Sequence, residues 1–203
     1  MLRLAVFVGT RGRGSNLMAI HSATQDGRLD AQIVLVVGSK EGAPALQRAR
    51  DVGMAVAVID PLAETYEAAL FAAFEEARVD AIALAGFLRR LPSGIVAAFR
   101  HRIVNTHPAL LPSFGGKGMY GHHVHEAVLA YGAKVSGCTV HFVDEEYDTG
   151  PVILQKVVPV ESEDTPETLS ARVLPEEHGA LVEALQLLAQ GRLKVDGRLV
   201  RRV

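Results

Sequence analysis

An amide and an imidazole stand two residues apart near the middle of the chain, at Asn105 and His107. Alternate side chains of an extended segment point to the same side, so both groups can face one substrate. An amide donor beside a titratable imidazole is equipped to stabilise an oxyanion and to move a proton. An isolated Asn-x-His also occurs in ordinary loop hydrogen-bond networks. The nearby Pro108 and Pro112 favour the functional interpretation, because proline stiffens a loop that otherwise has little reason to be rigid.

A second candidate is the acidic segment from Asp144 to Asp148. One of its carboxylates could lie beside His107 and raise the pKa of the imidazole, which would make it a better proton donor at neutral pH. A solvated acidic loop between two strands is the other interpretation. The residue types leave both interpretations open, together with the choice of carboxylate.

The glycine-rich segment from Gly9 to Leu17 is a candidate phosphate site, because it follows a predicted strand and leads into a predicted helix. Backbone N–H groups in such a loop bind anions, and Ser15 and Asn16 can donate to phosphate oxygens or cap the helix. The segment is a poor dinucleotide fingerprint, since Leu17 replaces the third glycine and no acidic residue follows the second strand. A phosphate-sized ligand is therefore favoured over a plain strand–helix turn, and NAD is the least favoured.

Three histidines, His122, His123 and His125, raise the question of a metal site. No cysteine and no spaced carboxylate–histidine motif accompanies them, so we expect an exposed helix start and no metal. The segment from Gly86 to Leu91 follows another predicted strand. It is interpreted as a ligand-lining loop, with a plain helix entry as the alternative.

The composition is that of an ordinary globular protein. The chain has 203 residues, 49% hydrophobic and 22% charged, which excludes disorder and predicts one domain over residues 1–203. A net charge of −2 gives no basic field for nucleic acid or an acidic membrane. Charge interrupts the apolar stretches before the roughly 20 residues that a membrane span requires. The single Cys138 and the lack of a signal-peptide pattern favour a cytoplasmic protein.

Short β-rich runs alternate with longer helical ones through the first half. The predicted strands are Leu4–Val8, Ile33–Val37, Ala55–Ile59, Val79–Ala85 and Arg102–Asn105. The predicted helices are Asn16–Ala23, Pro44–Val52, Tyr66–Ala77 and Ile95–Phe99. Nearly continuous apolar strands indicate burial on both faces by helices. The alternation therefore predicts an α/β fold with a Rossmann-like, doubly wound, mostly parallel sheet.

The second half has a different pattern. Two long strands are predicted at Val135–Val143 and Val152–Val160, followed by a helix at Pro166–Leu188. The tail contains Asp196-Gly197, a strong hairpin signal. Because there are no repeats and no low-complexity linker, we expect both halves to share one sheet and one core.

Taken together, these segments resemble the phosphoribosylglycinamide formyltransferase family of purine biosynthesis. The resemblance covers nearly the whole chain and has five parts in order: Gly14–Leu17, Ala83–Phe87 with a following arginine, Asn105–Pro112, Gly137–Val143 and Asp148–Ile153. Each part is moderately specific, and five in order are highly specific.

The resemblance implies the formyltransferase fold and transfer of a formyl group from 10-formyltetrahydrofolate to the amine of glycinamide ribonucleotide, without a metal. It implies a catalytic set of Asn105, His107 and Asp148. It assigns the ribonucleotide to Gly14, Ser15, Asn16 and Glu177. It assigns the folate to Asn105, to the segment Leu88, Arg89, Arg90 and Leu91, and to the segment Asp144, Glu145, Glu146, Tyr147 and Asp148. The implied partners are small molecules only, bound by a monomer or a homodimer.

The chain departs from the family pattern at three places, none of them in the catalytic set. Phe114-Gly115-Gly116 stands where the family usually has aromatic-Pro-Gly, which predicts a more mobile loop. Ala63 occupies a position where a basic residue often approaches the folate. Arg11 and Arg13 make the first loop more basic than usual.

Other functions were weighed against formyl transfer to the ribonucleotide. A formyltetrahydrofolate hydrolase resembles the same catalytic set but uses water as the acceptor, and that family usually carries an amino-terminal regulatory domain. Methionyl-tRNA formyltransferase has an added carboxyl-terminal domain and binds a tRNA, which neither the length nor the charge supports. A non-catalytic nucleotide-binding module would need only the glycine loop. It would leave Asn105, His107 and Asp148 without a shared purpose.

Overall fold

The computed structural model describes all 203 residues, in nine strands and six helices. The strands are β1 (Leu2–Val8), β2 (Ala31–Gly38), β3 (Val56–Val58), β4 (Ala81–Ala85), β5 (Ile103–His107), β6 (Val135–Phe142), β7 (Val152–Pro159), β8 (Leu193–Asp196) and β9 (Leu199–Arg202). The helices are α1 (Ser15–Gln25), α2 (Pro44–Asp51), α3 (Tyr66–Glu76), α4 (Ser93–Ala98), α5 (His122–Tyr131) and α6 (Pro166–Ala189).

Seven of the strands form one sheet in the order β3-β2-β1-β4-β5-β6-β7. Strands β1 to β5 are parallel, whereas β6 runs antiparallel to both of its neighbours. The last two strands form a separate hairpin, as the Asp196-Gly197 signal predicts. The predicted α/β class with a mostly parallel, doubly wound sheet is confirmed.

Helices cover both faces of the sheet and create two apolar clusters. The larger cluster packs α1, α2, α5 and α6 against one face, and the smaller one packs α3 and α4 against the other. In β5, Val104 belongs to the larger cluster and Ile103 to the smaller. Because side chains alternate along a strand, Asn105 and His107 lie on the α3–α4 face and Thr106 lies on the α6 face.

The fifth strand is longer than predicted. It continues past Asn105 to His107, because β6 pairs Asn105 with His141 and His107 with Thr139. Asn105 and His107 are therefore the end of a strand in the sheet and not a loop beyond it. No helix in the structure is both long and apolar enough to span a membrane.

Candidate active site

The end of β5 carries Asn105 and His107 on one face of the sheet. Asn105 Nδ2 lies 3.1 Å from Nε2 of His141, its partner on β6. His141 Nδ1 lies 2.8 Å from the carbonyl oxygen of Phe142, which can only accept, so in the neutral ring Nδ1 donates there and Nε2 accepts from Asn105. The Asn105 amide then has a second N–H that can bind another oxygen.

Asp148 lies between two imidazole rings. Its carboxylate oxygens are 3.5 Å from His107 Nδ1 and 3.6 Å from His141 Nε2, and its side chain is only 11% exposed. The structure thus places Asp148 beside His107. Glu145 and Glu146 of the same acidic segment are exposed to solvent.

Asp148 reaches this position because the connection between β6 and β7 folds back over the sheet. The last residue of β6, Phe142, pairs with Val104 near the start of β5, whereas His107 is at the end of β5. The connection must therefore run back along the sheet to bring Asp148 to His107. The backbone at Asp148 has a φ of 57°, a conformation that Asp and Asn tolerate better than most residues. A Cβ atom at Gly150 would collide with the carbonyl of Phe142, so this turn requires glycine.

Both ring nitrogens of His107 face acceptors. Nε2 lies 2.8 Å from the carbonyl oxygen of Phe114 and Nδ1 faces Asp148, so the ring can donate to both only as an imidazolium. Burial lowers the pKa of His107, and this effect exceeds those of Asp148 and of the Phe114 carbonyl, which raise it. Asp148 raises the pKa of His107, in the direction predicted for a neighbouring carboxylate. Desolvation of the ring is stronger, so the pKa stays below its ordinary value.

Asp148 itself is held as a carboxylate. Burial acts to raise its pKa, but the neighbouring His141 ring, the charge of His107 and the N–H of Gly116 together leave the pKa below its ordinary value. The Gly116 nitrogen lies 2.9 Å from Asp148 Oδ2. An anion is therefore maintained next to His107 at neutral pH.

Glu177 occupies the opposite face of β5. Thr106 Oγ1 donates to Glu177 Oε1 at 3.3 Å, and the Glu177 side chain projects from α6. Glu177 is only 9% exposed, and burial raises its pKa to about 7. A carboxyl group that changes protonation near neutral pH thus lies across the strand from the His107–Asp148 pair.

One cavity of about 500 Å³ joins the two faces at the end of β5. Among the predicted catalytic and binding residues, it is lined by Asn16, Leu88, Arg89, Arg90, Leu91, Asn105, His107, Asp144, Glu145, Glu146, Tyr147, Asp148 and Glu177. The Oδ1 atom of Asn16 is buried without a hydrogen-bond partner. One cavity-lining residue thus carries a polar atom that the protein itself does not satisfy.

Gly14 and Ser15 lie at the start of α1 but do not line this cavity. Gly14 is the residue before the helix, with a φ of 74°, and a Cβ atom there would lie 2.9 Å from Cβ of Ala45. A structural requirement therefore accounts for glycine at this position without any ligand. Arg48 also ties α2 to the loop by donating to the carbonyl of Arg13 at 3.0 Å.

The two segments predicted to bind folate meet at the other end of the cavity. Arg90 donates to the carbonyl of Glu145 and lies 3.2 Å from Glu146. The hydroxyl of Tyr147 lies 3.4 Å from the carbonyl of Leu88, whose side chain is 53% exposed. An exposed apolar side chain beside polar groups fits a flat heterocycle that has both apolar faces and polar edges.

Two histidines differ from the expectations. His122 and His123 are exposed at the start of α5, but His125 is buried, so the prediction of an exposed cluster is wrong for that residue. His125 lies on the same helical face as Val124 and Val128, which pack into the core. His141 received no role in the sequence analysis, although a polar residue in an otherwise apolar buried strand is a signal of a functional position.

No group of three or more histidine, cysteine or acidic residues is placed to hold a metal ion.

Comparison with known proteins identifies the class of this fold and site. The sequence model described as "Formyl transferase" matches residues 2–185, and the chain belongs to that family. The chloroplastic phosphoribosylglycinamide formyltransferase of Arabidopsis thaliana is 44% identical over 197 residues, which cover 95% of this chain and 67% of the relative. The corresponding protein of Vigna unguiculata is 44% identical, and the match covers 62% of its length. The predicted family and the predicted enzyme class, a formyl-transferring enzyme, are confirmed.

Comparison with solved structures supports the same family. Glycinamide ribonucleotide transformylase 1 from Symbiobacterium toebii superposes with a TM-score of 0.89 at 39% identity, covering 99% of this chain and 94% of that one. A formyltetrahydrofolate deformylase from Pseudomonas syringae gives a TM-score of 0.84 at 24% identity and is covered over 66% of its length. The latter likeness shows the shared fold alone.

Proposed function

We propose that this protein transfers the formyl group of 10-formyltetrahydrofolate to the amine of 5-phosphoribosylglycinamide in purine biosynthesis. The products are formylglycinamide ribonucleotide and tetrahydrofolate. The observation that carries the proposal is one cavity with Asn105, His107 and Asp148 on one wall and Asn16 and Glu177 on the other. A transfer reaction needs a site for the donor and a site for the acceptor around one reacting carbon.

The chemical step is assigned to the wall formed by β5, β6 and Asp148. The bound folate supplies an activated formyl group, whose carbonyl oxygen becomes an oxyanion when the substrate amine attacks. The free N–H of Asn105 donates to that oxygen, and His107, as the imidazolium, stabilises it further through its positive charge. Asp148 orients His107 and stabilises its charged form, and the proton released by the amine passes to the leaving nitrogen, with water as a relay. The reaction as written needs no metal ion and no covalent intermediate.

The other residues are assigned to binding. Gly14, Ser15 and Asn16 bind the phosphate of the ribonucleotide at the start of α1, where backbone N–H groups are free. Glu177 binds the same substrate on the α6 face. The folate contacts the segments 88–91 and 144–148 at the other end of the cavity.

The main rival is hydrolysis of the formylated folate, with water as the acceptor. Formyl transfer is favoured because Asn16 and Glu177 form a second wall that a water acceptor does not require. A non-catalytic nucleotide-binding module is not favoured, because it uses neither Asp148 nor His107. We further propose a monomer or homodimer that binds no nucleic acid or membrane and is located in the cytoplasm, although the plant relatives are chloroplastic.

The experiment is a formyl-transfer assay with the purified protein and 10-formyltetrahydrofolate. We expect tetrahydrofolate to form only when glycinamide ribonucleotide is added, in equal amount to the formylated ribonucleotide. Formation of tetrahydrofolate and formate at the same rate without the ribonucleotide would assign the hydrolase activity instead. Binding of the ribonucleotide without turnover of either substrate would support the binding module.

A further inference from the structure

A glycine-rich loop, residues 115–121, begins directly on the His107–Asp148 pair. Its first anchor is the Phe114 carbonyl, which lies 2.8 Å from His107 Nε2, and its second is the Gly116 N–H, which donates to Asp148 at 2.9 Å. A Cβ atom at Gly115 would lie 3.3 Å from Cβ of Asp148 and would clash with Leu111. The start of the loop is therefore fixed against the groups proposed to act on the formyl carbon.

Lys117 lies within this loop between two glycines in unusual conformations. Gly116 has a φ of 94° and Gly118 a φ of 91°, values that residues with a side chain rarely adopt. At the far end of the loop, Tyr120 packs edge-on against His123 with 5.2 Å between ring centroids. Both ends are thus held, and Lys117 lies between two residues with positive φ.

The ammonium group of Lys117 has no partner within the protein. Lys117 lines the cavity, whereas the one lysine that forms an ion pair is Lys156, with Glu183 at 3.0 Å. The two arginines that line the cavity are Arg89 and Arg90, both in the folate segment, and Arg90 is paired with Glu146. Lys117 is therefore the only lysine or arginine that lines the cavity outside that segment.

The path of the loop favours the ribonucleotide end of the cavity. The loop leads into α5, which packs with α6 and α1 on the same face of the sheet. That face carries Asn16 and Glu177, while the folate segments lie toward α4 on the opposite face. The anionic group of the ribonucleotide is a phosphate monoester, which needs a counter-charge when it leaves water.

We infer that Lys117 binds the phosphate of the ribonucleotide and is a further substrate-binding residue of this enzyme. The inference rests on the proposed function. The glutamate carboxylates of the folate are the other anions that could reach a cation in this cavity, and the experiment separates the two. Because the loop is hydrogen-bonded to His107 and Asp148, substrate binding by Lys117 also holds those groups in place.

The test is steady-state kinetics of Lys117→Ala, with Lys117→Arg as the conservative variant and Lys194→Ala as the control. Lys194 is exposed on β8, away from the cavity. We expect Lys117→Ala to raise the KM for the ribonucleotide about tenfold, in line with loss of one hydrogen bond between charged groups. The KM for the folate stays unchanged, Lys117→Arg restores most of the affinity, and Lys194→Ala matches wild type.

A second substrate sharpens the test. With glycinamide riboside, which lacks the phosphate, wild type and Lys117→Ala should have the same kcat/KM. An unchanged KM for the ribonucleotide in Lys117→Ala, or a loss that persists with the riboside, would overturn the inference. A raised KM for the folate alone would also overturn it and assign Lys117 to the glutamate carboxylates. Absence of formyl transfer in wild type would instead contradict the proposed function.

Discussion

The two faces of β5 differ in how completely their polar groups are satisfied. On the face of Asn105 and His107, each polar side chain contacts another one, through His141 and Asp148. On the opposite face, Glu177 has a single long hydrogen bond from Thr106, and the buried oxygen of Asn16 has none. The first face is preorganised, whereas the second has polar groups that the protein satisfies only in part.

The largest effect is expected for Asn105→Ala, which removes the proposed oxyanion donor from the preorganised face. Loss of one such donor typically lowers kcat by about 10²–10³. The measurement is kcat at saturating concentrations of both substrates, with the unfolding midpoint recorded as a control for folding. A variant that keeps its kcat and changes only a KM would remove the distinction between the two faces.

Asp148→Asn should lower the rate by a smaller factor, about 10², and should also change the pH dependence. The Asp148 carboxylate raises the pKa of His107 against the stronger lowering by burial, so its removal lowers that pKa further. Less imidazolium remains at neutral pH, and the pH–rate profile shifts toward acid. Asparagine suits the φ of 57° at this position, so the backbone is kept.

Two measurements check the Asp148→Asn prediction: the pH–rate profile, and the titration of His107 followed by NMR in wild type and variant. An unmoved His107 pKa would show that Asp148 acts in another way, such as holding water or folate.

Glu177→Gln tests the second face through stability. Burial raises the pKa of Glu177 to about 7, above its ordinary value of 4.5, so the folded state binds this proton more tightly than the unfolded state. That contribution to stability is fully present below pH 4.5 and is lost as pH rises through about 7. Between pH 5 and pH 8, the free energy of unfolding of wild type should fall by roughly 2 kcal/mol relative to that of Glu177→Gln, because each unit of pKa difference corresponds to about 1.36 kcal/mol.

The Glu177→Gln prediction is checked by urea unfolding of both proteins without ligands at the two pH values. Parallel stability curves for wild type and variant would mean that Glu177 stays ionised in the folded protein. The second face would then hold a permanent charge.

The parallel part of the fold and the chemistry of β5 were predictable from sequence, because apolar runs, glycine loops and alternate polar residues are local signals. The extension of β5 to His107 was not predictable, because residues 106 and 107 join the strand only through pairing with β6, which is distant in sequence. The burial of His125 could have been found, since it shares a helical face with Val124 and Val128. The net direction of the His107 pKa depends on how deeply the ring is buried, which only the assembled fold determines.

The division between the two faces is tested most directly by steady-state kinetics of Asn105→Ala and Glu177→Ala side by side, with both substrates varied. The predicted result is a lower kcat with little change in the ribonucleotide KM for Asn105→Ala. For Glu177→Ala, the prediction is a higher ribonucleotide KM with an unchanged folate KM and most of kcat retained. If both variants lose kcat alone, or if Glu177→Ala has normal kinetics for both substrates, the acceptor does not bind on the α6 face.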